Sequence, residues 1–189
     1  MADVVLIHSA VGLRPAVVRA ADGLRAQGHT VTTPDLYDGK TFTDVDEGVA
    51  HMQSIGWPEL LRRATVAVND LPADLVYAGM SMGAGLAATL AAARDGARGV
   101  VLLYGPEVPE DPWPTGVPVQ AHYAAGDPWV DPGSETALIS AVTAGGGHVS
   151  LHVYPGDRHL LDDADLPDQH DPVAGPLVWR RVADFIASC

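Results

Sequence analysis

The chain has 189 residues, 47% of them apolar and 19% charged, a balance that excludes wholesale disorder and fits one globular domain over 1–189 burying roughly 70% of its unfolded surface. Acids outnumber bases 24 to 11, a formal charge of −13, which argues against nucleic acid or an anionic membrane as a partner, because both are held by clustered Lys and Arg. The one cysteine, Cys189, leaves no intrachain disulfide and makes a cytoplasmic setting the expectation; no signal peptide is expected from Met1–His8, and no apolar run approaches ~18 residues.

In chain order, Val4–Ile7 is a short β-rich run that reaches His8 and Ser9. Arg14–Gln27 carries Val17, Val18, Ala21 and Leu24 at helical spacing and ends at Gly28. Thr30–Thr33 is a β-branched strand stopped by Pro34, and Asp44–Val68 is helical in two pieces, interrupted at Gly56 and Pro58. Strand Leu75–Ala78 is followed by an alanine-rich helix, Met82–Arg94. Strands Gly99–Tyr104 and Val117–Ala125 are separated by the five-proline stretch Pro106–Pro118, which reads as a rigid surface loop. Helix Glu135–Ala144, strand His148–Tyr154 and a final helix near Ala174–Ala187 complete the chain. Six apolar strands alternating with helices imply an α/β fold, a mostly parallel six-stranded sheet covered on both faces. Ligands of such sheets bind beyond the carboxyl ends of the strands.

The segment Gly79-Met80-Ser81-Met82-Gly83 lies between a strand and a helix, the context of a Gly-x-Ser-x-Gly nucleophile elbow. Its glycines permit a turn tight enough to strain the serine and lift its hydroxyl above the sheet. Serine needs a base and the base an orienting acid, in the order Ser, Asp or Glu, His for this arrangement. Asp127 and His159 each follow a strand and complete that order. Asp131 is the alternative acid, although it reads better as the start of the next helix. Backbone N–H groups of Met82 and Ala10 are the expected oxyanion donors, with Ser9 the alternative to Ala10. The acidic run His159–Asp171 matches no metal-ligand spacing and reads as a solvated loop. No metal and no cofactor is expected.

On the elbow Gly79–Gly83, Asp127 and Tyr154-Pro-Gly-Asp-Arg-His159, supported by Pro34–Tyr37, Asp46–Gly48 and the tail from Leu166 to Trp179, the chain resembles the dienelactone hydrolase family of the α/β-hydrolase superfamily. The resemblance implies a minimal α/β-hydrolase fold and ester or lactone hydrolysis. The family's founding enzymes use a cysteine nucleophile, a gating glutamate after the first strand and arginines that clamp the substrate carboxylate. Here Ser81 is the nucleophile, Ser9 stands near the glutamate position, and Leu160-Leu161-Asp162-Asp163 follows His159. A neutral or apolar ester is the more coherent substrate for this chain.

The stretch from Tyr104 to Val117 is too short for a lid domain, so an open, shallow site is expected, with Ser9, Met80, Trp113, Trp129 and Leu160 as substrate-binding residues and Met82 and Tyr37 as further wall candidates. The expected partner is a small-molecule ester or lactone, and a homodimer is the assembly considered. Two other classes stay open: a non-catalytic binding or regulatory module on the same fold, and an acyltransferase.

Overall fold

A computed structural model describes residues 1–189. Its six strands are β1 (Asp3–Ile7), β2 (Thr30–Thr32), β3 (Leu75–Met80), β4 (Gly99–Leu103), β5 (Val119–Ala124) and β6 (Val149–Tyr154); its helices are α1 (Pro15–Ala26), α2 (Val45–Ile55), α3 (Trp57–Val68), α4 (Met82–Ala93), α5 (Ser134–Ala144) and α6 (Ala174–Ser188). The strands form one sheet in the order β2-β1-β3-β4-β5-β6, and every neighbouring pair is parallel. The chain leaves β1 toward β2 on one side and returns to β3 on the other, so a switch of direction lies between β1 and β3.

Strand alternation builds two cores. Val5, Ile7, Tyr77, Val100, Leu102 and Ala121 point to the face covered by α3, α4 and α5. Val4, Leu6, Val76, Ala78, Val101 and Leu103 point to the face covered by α1 and α6. Burial on both faces explains why β3 and β4 read as unbroken apolar runs. The edge strand β6 is only partly buried along most of its length.

The break expected within Asp44–Val68 falls at Gly56, whose φ of 83° lies in the left-handed region, with Pro58 in the first turn of α3. The Asp44 carboxylate caps α2 by accepting from the Glu47 N–H. The connection from β4 to β5 contains no helix. Trp113, expected on the substrate wall, instead anchors this loop from beneath: its indole is 5% exposed and its Nε1–H donates to the Val117 carbonyl at 2.8 Å. A buried indole is stable only where its N–H finds such an acceptor. No helix is long and apolar enough to cross a membrane.

One buried polar network makes stability depend on pH. His122 on β5 has no exposure; its ring lies between the Tyr154 hydroxyl and the Gln120 carboxamide oxygen, each at 2.9 Å. The neutral ring satisfies both, Nε2–H donating to Gln120 and Nδ1 accepting from Tyr154. Burial, followed by the charges of His152 and Arg181, pushes its pKa down to about 3. The folded imidazole therefore stays neutral where the unfolded one takes a proton, so its contribution falls as pH drops below about 6.5. Relief of net negative charge on acidification acts in the opposite sense. The expected signature is thus differential: in urea titrations from pH 7.5 to 4.5, the stability advantage of the natural protein over His122→Gln shrinks by about 1.4 kcal/mol per pH unit below pH 6.5. A constant difference would show that His122 does not stay neutral.

Candidate active site

Ser81 sits between the end of β3 and the start of α4, with φ 51° and ψ −115°. For a residue with a side chain that conformation costs on the order of 1–3 kcal/mol, and the surroundings enforce it. The Ser81 N–H donates to the Leu103 carbonyl at 2.7 Å. A Cβ at Gly79 would collide with the Gly83 carbonyl, and a Cβ at Gly83 with the Ile7 carbonyl. Only glycine at both positions lets α4 approach the sheet closely enough to hold the turn.

Two loops bring the remaining polar groups. Asp127 follows β5 and His159 follows β6. His159 Nδ1–H donates to Asp127 Oδ2 at 2.7 Å, and His159 Nε2 lies 2.7 Å from Ser81 Oγ. The Asp127 side chain is fully buried and that of His159 is 4% exposed. Asp127 Oδ1 accepts the Trp129 N–H at 2.9 Å, so both carboxylate oxygens are used. The His159 N–H donates to Gln169 Oε1 at 3.0 Å, fixing the loop that carries the imidazole. Asp131 does not reach His159. Its main-chain carbonyl accepts from Ser134, and α5 begins after Gly133 rather than at Pro132.

Above Ser81 lies a cavity of about 200 Å³ whose walls include Ala10, Met82, Trp129, His159, Val49, Met52, Trp57, Tyr104 and Glu107. Of the expected wall residues, it brings together Trp129 and Met82 only. Ser9, Met80 and Leu160 face a different crevice, of about 10 Å³, shared with Arg14 and Asp163. The reason is strand alternation: Met80 follows Val76 and Ala78 onto the α1–α6 face, where Leu160 also packs. Tyr37 is 1% exposed and stands behind Met82, its hydroxyl 3.3 Å from the Met82 sulfur. The wall residues the sequence reading passed over come from α2, α3 and the β4–β5 loop.

The two expected oxyanion donors, the backbone N–H groups of Met82 and Ala10, belong to residues that line the cavity. That of Met82 opens α4, where helix N–H groups lack helical partners. That of Ala10 makes no hydrogen bond within the chain. His8, which sequence patterning singled out only as the end of β1, orients this second donor. Its ring is fully buried, with Nδ1 2.7 Å from the Ser9 carbonyl and Nε2 accepting the Leu36 N–H at 3.1 Å. The neutral ring with its proton on Nδ1 satisfies both contacts, and burial pushes its pKa down. A planar trans peptide directs its N–H opposite to its carbonyl. Holding Ser9 C=O therefore aims Ala10 N–H away from His8.

Tyr104, at φ 67°, braces the imidazole from the other side. Its ring meets that of His159 edge-on at 6.3 Å, and its hydroxyl donates to Asp162 Oδ1 at 2.5 Å. The Trp179 indole N–H donates to the second Asp162 oxygen at 2.7 Å. The acidic run is therefore a solvated loop only in part: Asp162 and Asp163 are withdrawn into partnered positions, while Asp165 and Asp168 stay exposed. Asp163 pairs with Arg14 at 2.6 Å, buried on both sides, Asp165 pairs with Arg19, and Asp171 accepts N–H groups at the start of α6. Nowhere are three or more His, Cys, Asp or Glu side chains gathered to hold a metal ion.

The arrangement can deprotonate a serine hydroxyl and receive an oxyanion beside it. The sequence matches the profile of the dienelactone hydrolase family over residues 1–189, while no curated protein matches it. Among solved structures it is similar to a dienelactone hydrolase-like promiscuous phosphotriesterase from metagenomic libraries, at 17% identity, covering 100% of this chain and 86% of that one with a TM-score of 0.81. A candidate dienelactone hydrolase from Klebsiella pneumoniae subsp. pneumoniae matches at 17% identity, 100% and 88% coverage and a TM-score of 0.76. A dienelactone hydrolase from Anabaena variabilis matches at 18% identity, 100% and 86% coverage and a TM-score of 0.63. At such identities the structural likeness is one of fold.

Proposed function

The chain belongs to the dienelactone hydrolase family, and we propose that within it this protein is a serine hydrolase that cleaves small or medium carboxylic esters or lactones through an acyl-enzyme. The observation that carries the reading is the unbroken chain of two 2.7 Å contacts from Asp127 through His159 to Ser81. His159 Nε2 takes the Ser81 proton as Oγ attacks the carbonyl carbon. Asp127 keeps the proton on Nδ1 and stabilises the imidazolium that forms. The tetrahedral oxyanion accepts from Met82 N–H and Ala10 N–H. Collapse of the intermediate expels the alkoxide, which leaves as the alcohol with the proton from His159. Water, deprotonated by the same imidazole, then attacks the acyl carbon and releases the acid and Ser81.

The cavity of about 200 Å³ and the helix-free β4–β5 connection favour short acyl groups, each buried methylene contributing about 0.8 kcal/mol. The lone Cys189 is in keeping with a reducing, cytoplasmic setting. A fluorophosphonate probe provides the direct test. Stoichiometric labelling that maps to Ser81, together with hydrolysis of short p-nitrophenyl esters, is expected. A protein that stays unlabelled and leaves those esters intact is a binding module rather than a hydrolase.

A further inference from the structure

The cavity over Ser81 has a charge inventory that ester hydrolysis alone does not call for. No lysine or arginine lines it, and besides His159 its one ionisable group of acidic or basic type is Glu107. None of the chain's ion pairs involves Glu107. Glu107 is itself exposed where it lines the cavity, its Oε1 3.1 Å from where a Cβ would stand on Gly105, one residue past Tyr104. Two tryptophans complete the picture. Trp57 is 42% and Trp129 41% exposed, both on the wall of this cavity, and Trp129 lies 6.1 Å from the His159 ring. Large aromatic faces left open beside an unpaired carboxylate form a surface suited to a cation with little hydration, because the ring quadrupole and the negative charge attract it together.

Resting on the hydrolase reading, we infer that the site selects esters carrying a fixed positive charge, with a quaternary ammonium group held by Glu107 against Trp57 and Trp129. Partial withdrawal from water and the neighbouring charge of Asp131 push the Glu107 pKa up, opposed by His159. A carboxylate in that state gains from an arriving cation. The same surroundings repel esters that carry a carboxylate, and the formal charge of −13 raises the local concentration of cationic substrates at low salt. The acidic partner and the two indoles act on the ground state and the transition state alike, so the preference belongs to binding and appears in KM.

A matched pair of esters isolates the charge. Butyrylcholine and 3,3-dimethylbutyl butyrate have nearly the same shape and differ by N⁺ in place of carbon. The natural protein is expected to cleave the cationic ester with a kcat/KM about tenfold higher at low ionic strength, the advantage that one partly screened ion pair with an aromatic face supplies. The ratio is expected to shrink in 0.5 M salt and to fall severalfold in Glu107→Gln, the remainder coming from the two indoles and the better leaving alcohol. A ratio of one or less in the natural protein, or one that Glu107→Gln leaves intact, overturns the inference. If Ser81 is labelled by fluorophosphonate but butyrylcholine is not cleaved, the cation preference falls and the hydrolase reading stands. If Ser81 is unlabelled and neither ester is cleaved, both fall together.

Discussion

Replacing Ser81 by Ala is expected to lower kcat by about 10⁶-fold, the loss seen when the nucleophile of a triad that acts as a unit is removed. The magnitude follows from the geometry. His159 Nε2 has one partner in the cleft, the Ser81 hydroxyl at 2.7 Å, so removal of Oγ leaves no covalent route. What remains is binding beside the two N–H donors, worth on the order of 10³–10⁴ over water. The fold is expected to tolerate the change, because the turn is enforced by the Ser81 main chain and by Gly79 and Gly83 rather than by the hydroxyl. Stability within about 0.5 kcal/mol of the natural protein, measured by urea denaturation, accompanies the loss. Turnover reduced by less than a hundredfold would assign the chemistry to another group.

Asp127→Asn is expected to cost about 10⁴-fold in kcat near neutral pH, for a reason specific to this loop. Asp127 Oδ1 accepts the Trp129 N–H at 2.9 Å. The amide oxygen of an asparagine must take that place, which turns its NH₂ toward His159 Nδ1. Facing a donor, Nδ1 has to be the unprotonated nitrogen, and the ring proton moves to Nε2, where it opposes the Ser81 hydroxyl instead of accepting its proton. The variant keeps nearly the same shape, so denaturation curves report on folding while the rate of fluorophosphonate labelling reports on the tautomer. Labelling as fast as in the natural protein would mean that Asp127 does not set the protonation of His159.

Much of this was legible in the chain. Short apolar and β-branched runs with glycine and proline punctuation placed all six strands, with ends shifted by one or two residues. The elbow was legible because its chemistry is local: the two glycines and the serine that must meet lie within five consecutive residues. Asp127 and His159 were found without knowledge of their neighbours, since a parallel sheet delivers the residue after each strand to one rim. Met80 could have been assigned correctly from the same periodicity, because residues 76, 78 and 80 share a face.

The rest depended on contacts between distant segments. The partners of the acidic run lie as far as 149 residues away along the chain, and no local pattern distinguishes a carboxylate awaiting Arg14 from one in water. The wall of the cavity is assembled from α2, α3 and a proline-rich loop, whose packing angles follow from side-chain fit rather than from spacing. His8 acquires its role only when Leu36 arrives to hold one nitrogen. The sequence by itself determined that Ser81, His159 and Asp127 meet at one rim of the sheet, because that meeting obeys backbone geometry and short-range sterics. Only the tertiary structure decided which side chains surround the cavity and what charge they present, because shape and field in a cavity are sums over groups that meet solely after the chain has closed upon itself.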